Sequence, residues 1–406
     1  MDRSFTMNLQ KSATVRVMKR EWQRIGERKT LHLLSILLPI LLFIFFGSIY
    51  YNGVLRDIPV AIFDGDNSEM SRMIVRAIES TSAFRIVEYS HSVDEMKEDF
   101  QRGKIQVAFS LPKDLERNIK RGKPTTVVIF NNSMNLVIAN TTLKDGTALI
   151  KTISGGILMK KFRSTGMQTE QAMHIINPIR IETQSLYNPN YNYPNFLVSG
   201  LIPVMLQMII MVAAVLLMSS EFTHDTFREL LATANGSVWA ILMGKSLPHL
   251  AIHGATVLGI LGIIFPLFGM QIIGSVFATA VLLMFFVMAS FFYGLMISVI
   301  FHDQQVATEV ALFLNMPAFI FSGFVFPLWA VPVFYRIVAQ VLPYTHFLFG
   351  FLKLYQMGTP VVEVLPEFGR LSAFIVISVI VTVFVLRHHS RKIGSLTDSE
   401  NRSVAS

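Results

Sequence analysis

Uncharged apolar runs alternate with polar stretches along the chain, and the runs predict its architecture. Segments 31–51, 196–218, 246–268, 272–301 and 306–326 are each long enough to cross a hydrocarbon layer about 30 Å thick. A shorter run, 371–386, is flanked by Arg370 and Arg387, whose long stems let their charges snorkel to the interface. The stretch between the first two runs alternates instead. Strand-like pieces at 58–63, 84–88, 105–109 and 125–130 are separated by helical patterns at 68–80, 93–102 and 113–121, and a long helix follows over 134–162. The expected fold is an α-helical polytopic membrane protein with six spans and an α/β extracytoplasmic domain, residues 52–195, inserted between spans one and two.

Two polar elements flank the spans. Residues 1–30 carry eight Lys/Arg against three acids. Val15, Met18, Trp22 and Ile25 recur at helical spacing with Arg16, Lys19, Arg20 and Arg24 between them, the pattern of an amphipathic helix lying among lipid headgroups. Between the second and third runs, residues 220–237 read as a helix carrying Phe222, Phe227, Leu230 and Leu231. Asn235-Gly236 is its stop signal and Ser237 caps the next helix. Trp239 and Lys245 are expected at the membrane interface. Residues 327–370 contain Pro327, Pro332, Pro343, Pro360 and Pro366 and read as re-entrant or interfacial elements on the outer side. Basic residues near both ends, including Arg387, Arg391 and Lys392, assign the amino end and the tail 388–406 to the cytoplasm; the domains are then 1–30, 31–51, 52–195 and 196–387. Tyr50 and Tyr51, and Tyr187, Tyr191 and Tyr193, mark interfacial collars.

Composition narrows the chemistry. The chain is 52% hydrophobic and 15% charged, and it has no cysteine, so disulfides, thiolate zinc sites and cysteine catalysis are excluded. The net charge of +8 is not arranged as a nucleic-acid stripe, and a membrane-lipid surface fits it better. Gly244-Lys245-Ser246 is the one Gly-Lys-Ser, but the glycine that a phosphate-binding loop needs five residues earlier is Trp239. No catalytic constellation and no metal set is read. His249 and His253, one turn apart, suit hydrogen bonding or packing better than metal. Glu309 lies about 9 Å beyond Asp303 by helical rise and should be paired, neutral or facing water, with His249 or His253 as a candidate partner. With Gln207 and Asn315 these residues make up the candidate intramembrane polar pathway. Asp64, Asp66 and Asn67 look like half of a calcium loop, yet no glutamate follows at the required distance, and turn formation with helix capping is favoured.

Four stretches resemble the permease subunit of type-2 ABC exporters, the multidrug-type group with a large extracytoplasmic domain. They are residues 58–72 (IPVAIFDGDNSEMSR); Glu221, Asp225, Thr226, Arg228, Leu230, Leu231, Thr233 and Ala234, followed by Gly244-Lys245 and Pro248; Gln304-Gln305-Val306 leading to Ser322–Pro327 and Pro332; and Leu342–Thr345. Together they span nearly the whole chain in the family's order. Asp225, Arg228 and Ala234 stand where the family usually has Gly, Glu and Pro. The resemblance implies a second permease subunit, in a homodimer or heterodimer, and ABC ATPase subunits that hold ATP and magnesium, with no cofactor in this chain. It implies that Glu221, Phe222, Asp225, Thr226, Phe227, Arg228 and Glu229 form an ATPase-coupling helix, aided by Val15–Ile25. An amphiphilic, drug-like or lipid-like substrate and a bacterial inner-membrane location follow from the same likeness. Two other readings remain open on the residues alone: a membrane receptor or assembly factor whose outer domain binds envelope proteins, and an ion-driven transporter using Glu309 and the histidines.

Overall fold

The computed structural model describes residues 3–27, 29–49, 55–176, 186–188 and 194–404. Tyr50, Tyr51, Tyr191 and Tyr193 lie outside them. The chain divides into two compact units, residues 52–185 and the remainder.

The second unit in space begins and ends inside the first in sequence. Its sheet has the order β2-β1-β3-β4, from β1 (Ile58–Asp64), β2 (Phe84–Tyr89), β3 (Val107–Leu111) and β4 (Val128–Asn131). β1 pairs in parallel with β2 and β3, and β4 closes one edge antiparallel. One face packs Ile58, Val60, Ile62 and Phe109 against Ile74 and Ile78; the other packs Ala61 and Ala108 against Met96. After β1, Asp64 accepts from the backbone of Asp66 and Asn67 and from the Ser71 hydroxyl, and Ser68 with Ser71 caps the following helix (Glu69–Glu79) in a reciprocal box. Asp66 in turn accepts from the Glu116 amide at 3.0 Å. The Asp64 and Asp66 carboxylates therefore serve the turn and the caps.

The larger unit is helical. Numbering only its helices in chain order, α1 is Arg3–Glu27, α2 Lys29–Ile49, α3 Ser199–Thr223, α4 Phe227–Thr233, α5 Val238–Gly259, α6 Val276–Ile300, α7 Gln304–Asn315, α8 Val333–Gln340, α9 Pro343–Tyr355 and α10 Leu365–Val404. Four described helices are long and apolar enough to cross a membrane: Asn195–Thr223, Val238–Leu267, Val276–Ile300 and Val361–Lys392. α2 adds a shorter apolar helix, Ser35–Ile49.

The expected span at 306–326 is not one helix. α7 ends at Asn315, and a short helix, Ala318–Phe321, follows Pro317. Proline cannot donate the hydrogen bond that would continue the ladder. Farther on, α8 and α9 meet at a bend of 84° across residues 341–342, within the proline-rich stretch. A close crossing holds the centre: a Cβ on Gly294 of α6 would lie 2.6 Å from the Met211 carbonyl oxygen of α3. Phe286 of α6 stacks on Phe347 of α9 with ring centroids 4.0 Å apart.

Candidate functional site: a buried ion lattice beneath a short connector helix

α3 continues through Ser220, Glu221 and Phe222 to Thr223, so the coupling helix expected over 220–237 is shorter than its sequence suggests. The chain turns at Asp225, whose φ of +54° is left-handed, and α4 occupies only Phe227–Thr233. It ends where the sequence places the stop: Asn235 and Gly236 have φ of +51° and +74°, and the Gly236 amide reaches back to the Leu231 carbonyl. The Ser237 hydroxyl accepts from the Ala240 amide and starts α5.

α1 runs against α5. A Cβ on Gly244 would lie 2.6 Å from Val17 Cβ and 2.9 Å from the Thr14 carbonyl oxygen, so the crossing requires glycine. The stripe of α1 that packs inward is Ala13, Val17 and Glu21. Val15 and Trp22, expected to define its single apolar face, stay exposed, and Met18 and Ile25 are half-buried. The helix therefore buries one face against protein and leaves Val15 and Trp22 on an exposed one.

Glu221 is fully buried and is the hub of the contact. Arg20 reaches it with two nitrogens, at 2.9 and 3.2 Å. Arg24 donates to the same carboxylate, and so does the Thr226 hydroxyl. Lys245 Nζ, also buried, donates to Glu221 Oε1 and to Glu21 Oε2, each at 2.7 Å. His249 Nε2 lies 3.1 Å from Glu21 Oε1. Burial alone would raise the Glu21 carboxyl, but the Lys245 charge and the hydrogen bonds with His249 and Lys245 outweigh it and hold the group at about 2, below its ordinary 4.5. Arg16 Nε adds a bond of 3.2 Å to the Thr233 carbonyl at the end of α4.

This geometry redistributes the residues expected to couple to a partner. Glu221 cannot offer a surface carboxylate, because it is consumed internally. Phe227 is buried and Phe222 half-buried; their rings lie 5.0 Å apart and pack on His389 of α10, with His302 4.6 Å from Phe222. Phe227 thereby packs α4 onto Phe222 of α3 and His389 of α10. Thr226 is half-buried on Glu221. Asp225, Arg228 and Glu229 are exposed and make up the free face.

The polar-pathway candidates separate in the same way. Gln207 of α3 donates to Asn315 of α7 at 2.7 Å, and both are buried. His249 faces Glu21, and His253 is buried one turn farther along α5. Glu309 is exposed and accepts from Gln305 at 3.0 Å, so its partner is on its own helix and not His249. Lys245 is inside the protein and not at a lipid interface. A lone cation in apolar α5 and a lone carboxylate near the end of apolar α3 were the sequence signal for this pair, since buried charges require partners.

The arrangement is a short connector helix tied by side-chain contacts to the ends of long apolar helices, with an exposed charged face. Residues 28–384 match the model of the ABC-2 family transporter protein. The chain belongs to the ABC-2 transporter family. Among curated relatives of this ABC-2 chain is the probable multidrug ABC transporter permease YbhR of Escherichia coli strain K12, 24% identical over 331 residues, covering 80% of this chain and 83% of the relative. The probable multidrug ABC transporter permease YbhS of the same organism is 23% identical over 360 residues, covering 85% and 89%. This ABC-2 protein is a multi-pass membrane permease, and its family implies association with an ABC ATPase subunit.

Proposed function

We propose that the protein is the permease subunit of an ATP-driven exporter, energised by a separate ABC ATPase that docks on the exposed face of α4. The observation that carries this reading is the division of α4 into a face fixed to the bundle and an exposed face bearing Arg228 and Glu229, with Asp225 exposed in the turn before it. A helix held in this way can transmit a push without folding away from it. Mixed charges on the free face suit a partner groove of complementary charge.

The reading has several parts. Both termini lie in the cytoplasm of the bacterial inner membrane, six segments cross it, and residues 52–195 form the domain outside. ATP and magnesium belong to the partner, and this chain has no cofactor of its own. Two permeases pair, as a homodimer or heterodimer, with the path between them. The apolar helices with few polar groups suit an amphiphilic, drug-like or lipid-like molecule, consistent with the multidrug description of the relatives. The outer domain is available to envelope partners.

The test is gentle solubilisation from the native membrane, capture of the chain, and identification of what stays bound. A stoichiometric ABC ATPase is expected with the wild type. It is expected to be lost from the variant Asp225→Asn, Arg228→Ala, Glu229→Ala, whose melting temperature stays at the wild-type value because the three side chains are exposed and asparagine tolerates the left-handed φ at 225. Absence of an ATPase from the wild type, even after cross-linking in the membrane, would overturn the reading.

A further inference from the structure

Arg20, Glu21 and Arg24 of α1 interleave with Glu221 of α3 and Lys245 of α5, so three cations face two carboxylates across three helices. The ends of this lattice reach α4 from both sides. Thr226, immediately before α4, donates to Glu221 and accepts from Arg24 Nη2 at 3.3 Å; Thr233, at its last turn, accepts from Arg16. Gly244 brings the α1 and α5 backbones together at the same level.

We propose that this lattice locks α1, α4, the end of α3 and the first turns of α5 into one rigid input body, with Glu221 and Lys245 as positioning residues for α4. The inference rests on the reading that α4 receives the ATPase. Its physical basis is that sliding α1 past α4 would strip buried charges of their partners, and an unpaired buried charge is far costlier than a rearranged apolar contact. A push on α4 is therefore delivered at once to α1, α3 and α5. Ordinary packing would let α4 tilt on its own and dissipate the push. Lys245 has a particular place in this body because it joins the two carboxylates, one from α1 and one from α3.

The chain has no cysteine, so a label pair can be introduced cleanly. Gln23→Cys on α1 and Ala232→Cys on α4 are both at exposed positions. Spin labels at these sites in the full chain, in lipid nanodiscs, report the α1–α4 distance by pulsed electron resonance with no ATPase required. One narrow distance peak is expected. Glu221→Gln is expected to lose that peak to a broad or bimodal distribution. Glu221→Gln combined with Arg24→Gln removes one anion and one cation together, which preserves the charge balance and the folded state, and it too is expected to lose the narrow peak. Lys245→Arg is expected to keep it. A broad wild-type distribution, or a narrow peak that survives in either folded Glu221 variant, would overturn the lattice as a lock. Where an ATPase co-purifies, trapping it with magnesium, ATP and vanadate should leave the wild-type peak in place; a shifted distance would also overturn the proposal. If no ATPase is captured, the docking reading fails by itself, and the distances still decide the lock.

Discussion

Glu221 carries more of this structure than any other single side chain. Its carboxylate accepts from Arg20, Arg24, Lys245 and Thr226 out of contact with water. Replacing one member of a buried ion pair leaves the others uncompensated, so Glu221→Gln should lower the unfolding free energy by about 3–5 kcal/mol. Chemical denaturation in detergent, with Glu229→Ala as the exposed control, measures this. Glu21 gives a pH test. Its folded pKa, about 2, lies below the ordinary 4.5, so its stabilising contribution is fully present above pH 4.5 and is lost as pH falls towards 2. The wild type should therefore melt above Glu21→Gln at pH 6, and the gap should close between pH 4.5 and 2. A gap that is constant with pH would show that the carboxylate is not held down in the fold.

At the scale of the element, α4 is defined by its ends. Asp225 adopts a left-handed φ of +54°, the region in which only glycine is free of a Cβ penalty. The family's usual glycine at this position has the same physical explanation. Asp225→Gly should therefore be neutral or stabilising by about 1 kcal/mol or less in denaturant melts. The α1–α5 crossing is the converse case. A methyl group at Gly244 has no room against Val17 and the Thr14 carbonyl, so Gly244→Ala should cost about 1–3 kcal/mol through overpacking and should push α1 outward. Increased protease cleavage within α1 would report that displacement.

For the whole molecule, the two units have separate cores. Residues 52–185 form a contiguous stretch whose sheet packs its own helices on both faces. The segment 55–176, produced alone, should fold cooperatively with the mixed α/β circular dichroism of that sheet. A non-cooperative melt would refute this independence. In the helical unit, α1 is separated in sequence from Glu221 by about two hundred residues, yet it completes the burial of Glu221 and Lys245. Removing 1–27 should take away Arg20, Glu21 and Arg24 and uncover the Glu221–Lys245 pair that remains, and gel filtration of the truncated chain should show aggregation where the full chain is monodisperse.

The sequence by itself determined the elements whose signals are local. Apolar runs marked the long helices; Ser237 and Asn235-Gly236 marked a cap and a stop; and short strand-like stretches at 58–63 and 84–88 marked the first two strands, because each depends on residues a few positions apart. Proline likewise announced a proline-rich region after 327, though not the break at Pro317 within an otherwise apolar run. The tertiary structure decided which stripe of α1 faces protein. Val15 and Trp22 have the stronger apolar pattern, but Ala13 is buried, Val17 lies against Gly244, and Glu21 is the one that meets Lys245. It also decided that Glu221 and Phe227, which read as surface partners, are buried, and that Glu309 meets Gln305 of its own helix and not His249. Periodicity carries no information about which distant charge will neutralise a buried one. That choice is made only when three helices close on the same volume and each buried charge must find its counterpart.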